Sequence, residues 1–165
     1  MESRILSLFV ENNIGVLAKI SALFSGKLYN LESLTAGVTE DETVSRVTLR
    51  VKSDDATFEQ IKKQLNRCVE VIKVIDLTGK PICMKELMFI KVSSRSKEDI
   101  DELFRIAEVF SASVEDYGLN GVIMQSVRPE QENDKIAALV KSRFQNVEIV
   151  RGGCVATEGF SCKGR

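Results

Sequence analysis

Phe9-Val10-Glu11-Asn12-Asn13-Ile14-Gly15-Val16-Leu17-Ala18-Lys19-Ile20, followed by Leu28-Tyr29-Asn30-Leu31-Glu32-Ser33-Leu34, is the stretch from which the rest of the chain can be read. From Ile5 to Val10 the chain is apolar apart from Ser7 and too short for a helix, so a buried strand is predicted from Arg4 to Val10. Gly15 breaks it. From there to Lys27, Val16, Ile20, Leu23 and Phe24 recur at helical spacing, with Lys19 and Lys27 off that stripe, and a second strand opens at Asn30. The first turn of this helix holds no acidic side chain. Its unsatisfied backbone N–H groups and positive dipole end therefore offer a seat for a small carboxylate. The pattern points to a ligand site rather than a catalytic centre.

Working outward, Asn30 to Thr39 and Thr43 to Lys52 read as a hairpin around the acidic turn Glu40-Asp41-Glu42. Ser53-Asp54-Asp55 supplies N-cap chemistry for a helix along Phe58, Ile61, Leu65 and Cys68, and Val69 to Leu77 supplies a fourth strand. The order β-α-β-β-α-β is that of a split βαβ unit, an antiparallel sheet of four strands with both helices on one face. Thr78-Gly79-Lys80-Pro81 punctuates the chain after it. Beyond, Lys85 to Val92 is a strand, and Ser96 caps a helix along Ile100, Leu103, Phe104, Ala107 and Phe110. Ser113 to Tyr117 and Gly121 to Val127 form a hairpin, Pro129 opens a helix through Ile136, Leu139 and Val140, and Val147 to Val155 closes the pattern. The expectation is an α+β chain of two tandem ferredoxin-like domains. The first spans residues 1–78, a linker 79–84, the second domain 85–157 and a flexible tail 158–165.

Composition narrows the function. With 24 acidic and 23 basic residues, the net charge of -1 gives no pull toward nucleic acid or an anionic membrane. The chain has no histidine, which removes Ser-His and Cys-His nucleophile pairs and the commonest metal ligand. Cys68, Cys83, Cys154 and Cys162 show neither C-x-x-C pairing nor the density of a secreted disulfide scaffold, so they read as reduced thiols. No secretory leader pattern and no apolar run of about 20 residues is present, and a cytoplasmic protein without a membrane span is expected.

The run Ile5-Leu6-Ser7-Leu8 through Glu11-Asn12-Asn13-Ile14-Gly15-Val16-Leu17, with Leu23-Phe24-Ser25, Tyr29-Asn30-Leu31-Glu32-Ser33-Leu34 and Ser45-Arg46-Val47-Thr48, resembles the small regulatory subunit of acetolactate synthase. Gln60 to Asn66 fits that family's intervening helix, and Lys85-Glu86-Leu87-Met88-Phe89-Ile90-Lys91-Val92 resembles the opening of its second domain. The resemblance implies that the first domain is an ACT domain, which pairs with a second copy and binds a free amino acid between the two. The ligand would be valine, as allosteric effector in branched-chain amino-acid biosynthesis, and the homodimer would activate and restrain a separate large catalytic subunit. Thiamine diphosphate, magnesium and FAD would belong to that partner, with no cofactor, catalytic residue or metal on this chain. By position, Asn12, Gly15, Val16 and Leu17 match the binding turn, and Asn30 and Leu31 match the segment offered by the facing subunit. Asn12 and Asn30 can supply oxygens to the ligand's ammonium, and Gly15 allows close backbone approach.

Plainer readings stand beside these. Asn12-Asn13 before a helix also suits an N-cap, and Gly15 a simple turn. Arg46 suits a solvated face or an ion pair, Glu40-Asp41-Glu42 a solvated turn rather than a cation site, and Cys154 and Cys162 packing or tail positions. The second domain departs from the family pattern at Phe110-Ser111 and over Arg151 to Gly159, while Ile14 stands where a small polar residue is common and Leu31 where Ile is common, both leaving the pocket apolar. The same fold frames RNA-binding domains and a small acyl-phosphate hydrolase. Thr43 to Lys52 carries no aromatic for RNA, and no anion loop with paired Arg and Asn is found. A free-standing ACT-type sensor controlling another protein is the remaining alternative.

Overall fold

The computed structural model describes residues 2–160. Cys162 and the tail beyond Phe160 lie outside them. The elements are β1 (Glu2–Glu11), α1 (Val16–Gly26), β2 (Asn30–Val38), β3 (Val44–Ser53), α2 (Asp55–Leu65), β4 (Val71–Asp76), β5 (Ile82–Ser93), α3 (Lys97–Phe110), β6 (Ser113–Gly118), β7 (Gly121–Arg128), α4 (Glu130–Arg143) and β8 (Val147–Glu158). They form two sheets of four antiparallel strands, ordered β2-β3-β1-β4 and β6-β7-β5-β8, so the β-α-β-β-α-β order occurs twice. The described residues divide into two compact units, one made of residues 2–83 together with 155–160, the other Met84–Cys154. β5 opens at Ile82, so pairing reaches further back toward Pro81 than the apolar pattern alone suggests.

In the first unit alternation decides the faces. Leu6, Leu8 and Val10 of β1 and Val47, Leu49 and Val51 of β3 are buried, and they meet Val16, Ile20 and Phe24 of α1 and Phe58, Ile61 and Leu65 of α2. The second unit repeats this with Met88, Ile90 and Val92 of β5, Val122 and Met124 of β7, Leu103, Ile106 and Ala107 of α3, and Ile136, Ala137 and Val140 of α4. Each edge strand on the hairpin side carries a bulge. Register shifts between Leu31 and Ser33 in β2 and between Val114 and Asp116 in β6. An extra residue breaks the two-residue period, so Leu31 and Leu34, three apart, both pack toward the core.

Four local readings are corrected. Cys68 does not extend α2, because the helix ends at Leu65 and Asn66 takes the C-cap. Phe104 is 40% exposed and leaves the buried stripe for an edge-to-face contact with Tyr117 at 5.3 Å, since a third large side chain beside Leu103 and Ile106 would overfill the helix–sheet interface. Pro129 is the N-cap of α4 rather than its first helical residue. Arg46 is half-buried and, among the described residues, is not ion-paired. Its Nε donates to Ser7 Oγ at 2.8 Å, its Nη2 donates to the Ala156 carbonyl at 3.0 Å, and its guanidinium carbon lies 5.3 Å from the centroid of the Phe9 ring.

Asp54 caps α2 as its chemistry suggests, its carboxylate accepting from the Thr57 N–H at 2.8 Å. The hydrogen bonds from Thr57 hold its carboxyl below the usual carboxylate range. A carboxyl depressed on folding stabilises above its unfolded value of about 3.9, and that contribution disappears as pH falls through the folded value. Asp54→Asn keeps a capping oxygen without the charge. It is expected to leave the melting temperature near neutral pH almost unchanged and to shrink its fall below about pH 4, where the unfolded carboxyl protonates, as followed by circular dichroism. An acid limb identical to that of the parent chain would contradict this.

Candidate functional site

The turn between β1 and α1 is held from below by backbone and side chain together. Asn12 donates its backbone N–H to the Thr43 carbonyl at 2.7 Å and its Nδ2 to the Glu42 carbonyl at 2.9 Å, while its Oδ1 accepts from Ser45 Oγ at 2.9 Å. Asn13 donates Nδ2 to Glu11 at 3.0 Å, and its carbonyl accepts from the Val16 N–H at 3.3 Å. Neither asparagine caps α1. Gly15 is the N-cap, at φ 89° and ψ -8°, a left-handed conformation that favours glycine. No side chain caps the helix and no acid stands in its first turn. An ideal Cβ at Gly15 would meet nothing within 4 Å, so the space before the helix is open.

Apolar side chains flank that opening. Ile14 is fully exposed and Leu17 is 43% exposed, whereas the Val16 side chain is buried in the core and leaves only its backbone to the turn. Lys19, one turn along, pairs with Glu70, and this hydrogen bond holds the ammonium above its ordinary value. Its charge is thereby occupied within the unit. The local charge at the turn is set by backbone dipoles, which suit a carboxylate, and by the Glu11 carboxylate and Asn12 oxygen nearby in sequence, which suit an ammonium.

The six candidate residues fall in two places. Asn12, Gly15, Val16 and Leu17 gather at the start of α1. Asn30, exposed, and Leu31, half-buried, stand at the start of β2 beyond the other end of that helix. An 11-residue helix is about 16 Å long at 1.5 Å per residue. One chain therefore does not bring the two groups around a ligand as small as an amino acid. The hydroxyl of Ser45 and the Glu42 carbonyl, which fix Asn12, were not among the candidates. They lie 33 and 30 residues away, and only the strand register Glu11↔Val44 and Val10↔Ser45 reveals them.

The corresponding turn of the second unit, between β5 and α3, is closed chemically. Ser96 caps α3 by accepting from the Asp99 N–H at 3.4 Å, and Glu98 and Asp99 occupy the first turn. Ser96 Oγ donates to Glu98 at 2.7 Å and Ser94 Oγ to Asp99 at 2.6 Å. The Ser96 hydroxyl holds the Glu98 carboxyl below the usual range, so this helix start already carries negative charge. Elsewhere in the second unit a buried polar network joins three strands and a helix. Asn133, 0% exposed, accepts from Ser126 Oγ at 2.8 Å and donates Nδ2 to both the carbonyl (3.2 Å) and the carboxylate (3.0 Å) of buried Glu86. Arg151 Nε lies 3.6 Å from that carboxylate. Among the described residues no group of three His, Cys, Asp or Glu side chains is placed to hold a metal, and no helix is long and apolar enough to cross a membrane. Asp41 is tied into its own turn, accepting from the Thr43 N–H and hydroxyl at 2.9 and 2.6 Å.

The described residues form two tandem ferredoxin-like units, the first with an uncapped glycine turn at the head of α1. The AHAS small subunit-like ACT domain family model matches residues 6–73, and the model for the small subunit of acetolactate synthase matches residues 85–159. The acetolactate synthase small subunit of Bacillus subtilis is 39% identical over 156 residues, covering 93% of this chain and 88% of that protein. That of Aquifex aeolicus is 37% identical over 156 residues, covering 94% and 81%. The crystal structure of the acetolactate synthase small subunit from Thermotoga maritima has a TM-score of 0.87 at 32% identity, covering 98% of this chain and 99% of that one. The chain belongs to the acetolactate synthase small-subunit family.

Proposed function

We propose that this chain is the non-catalytic regulatory subunit of a thiamine-diphosphate-dependent acetolactate synthase, cytoplasmic, raising the activity of the large catalytic subunit and conferring feedback inhibition by valine. The observation that carries the reading is the open, uncapped, acid-free start of α1 at Gly15, a carboxylate seat with apolar side chains beside it. The domain formed by residues 1–78 takes the effector. Its carboxylate meets the N–H groups of Gly15 and Leu17, the Val16 N–H being held by the Asn13 carbonyl, its ammonium meets the remaining lone pair of the Asn12 oxygen, and Asn30 and Leu31 of a second copy close the site. The distance from the turn to Asn30 within one chain favours that two-copy arrangement. So does β2, which has β3 on one side and no strand on the other among the described residues. Its acid, Glu32, is held 3.0 Å from Arg50 and accepts from Ser3 at 3.1 Å, leaving an edge without free charge for pairing with its copy.

The test is calorimetric titration of valine into the purified dimer, followed by reconstitution with the large subunit. One valine per chain is expected, because Glu98 and Asp99 repel a carboxylate at the second unit's equivalent turn. Pyruvate turnover should require the large subunit, rise when this chain is added and fall with valine. Two valines per chain would overturn the one-site reading, and no response of the large subunit would overturn the regulatory one.

A further inference from the structure

We propose that the outer edge of β6 is where the catalytic subunit docks, an extended basic segment of that partner adding to the second sheet as a further strand. The proposal rests on the regulatory-subunit reading above. β6 ends the order β6-β7-β5-β8, so its backbone pairs with β7 on one side, and among the described residues no strand lies on the other. Such an edge is a template for a strand from another chain. All of β6 except Val114 is exposed.

Two observations say what kind of segment fits. On the helix side, Tyr117 (59% exposed) and Phe104 form their edge-to-face pair beside the strand, followed by Leu119, almost fully exposed. None of the three is needed to fill the core beneath. They offer an apolar ledge for a side chain projecting from an added strand. The strand itself carries adjacent acids, Glu115 and Asp116, and Glu108 stands one helical turn from Phe104 on α3.

These charges also decide against a second copy of this chain. Antiparallel pairing of β6 with itself would bring Glu115 and Asp116 against the same pair, and like charges across a strand pair are unfavourable. β2 has no such obstacle, since Glu32 is matched by Arg50 within its own unit. The two hairpin edges are thus chemically sorted, a neutral one for a copy and an acidic one for a basic, heterologous strand. Attraction of this kind weakens as salt rises.

The test uses the full-length chain and the purified large subunit, with affinity measured by surface plasmon resonance at low and moderate salt. E115K/D116K is expected to weaken binding at least tenfold and to abolish most of its salt dependence, with E115Q/D116N weaker in the same direction. The dimer mass and one-valine stoichiometry should not change. E40K/E148K makes the same charge change in the first unit's hairpin and on the far strand of the second sheet, and should bind within twofold of the parent. Equal losses for both lysine pairs would mean general attraction, and unchanged affinity of E115K/D116K would mean another docking face; either overturns the proposal. Loss of the dimer in E115K/D116K would place β6 in self-association and overturn it as well. A parent chain that binds valine but not the large subunit would instead defeat the regulatory reading, and with it this one.

Discussion

Gly15→Asp is expected to weaken valine binding by at least a hundredfold, which corresponds to about 2.7 kcal/mol, while the chain still folds and still activates its catalytic partner. The new carboxylate would stand beside the first-turn N–H groups, occupying the place of the ligand's own carboxylate and repelling it. Steric clash within the chain is not the cause, because a Cβ at Gly15 meets nothing within 4 Å. The cost to the fold comes from φ 89°, where a side chain is strained by about 1–2 kcal/mol. An acid in the first turn returns about 0.3–1 kcal/mol through the helix dipole. The net should lower the melting temperature by only several degrees, at about 4–8 °C per kcal/mol for a domain of this size. Gly15→Ala carries the strain without the charge, so it should melt similarly yet lose far less affinity. Calorimetric titration of both variants separates the two effects, and a normal valine isotherm for Gly15→Asp would remove this turn from the site.

Asn133→Ala should be the most destabilising single change in the second unit. It strips a hydrogen bond from the Ser126 hydroxyl and two from Glu86, one of them to a buried carboxylate. Orphaning buried polar groups of this kind costs about 3 kcal/mol or more. The melting temperature should drop by about 12 °C or more, with one valine still bound per chain below the new transition. Asn133→Asp is nearly isosteric yet sets a second carboxylate against Glu86, so it should be comparably damaging. A melting temperature within two or three degrees of the parent for either variant would show that the network contributes little; this threshold is about half a kcal/mol.

The repeated β-α-β-β-α-β order could be read from the sequence because buried strands such as Leu6-Ser7-Leu8 and stripes such as Phe58, Ile61 and Leu65 record their own periods. The glycine turn was legible for the same reason, since an acid-free helix start after a lone glycine is a local pattern. What depends on partners distant in sequence was not. Arg46 looks like any exposed strand arginine until Phe9 and Ser7 are placed beside it by the β1–β3 register, which opposes Phe9 to Arg46. Asn12 reads as a cap or a ligand donor, and only the hairpin shows its amide already engaged by Glu42 and Ser45. Phe104 satisfies the helical period and still leaves the core, because volume rather than spacing decides how many large side chains fit.

The two bulges bear on where the chain came from. Its halves share almost no residues, and similarity of fold alone can arise more than once. Yet β2 and β6, the strands that occupy the same place in each sheet, are interrupted in the same way, each beside a glutamate, Glu32 in one and Glu115 in the other. Strand pairing does not require an extra residue at that point. Bulges are kept within families, so a shared irregularity is harder to reach twice by chance than a shared plan, and duplication of a single module accounts for it.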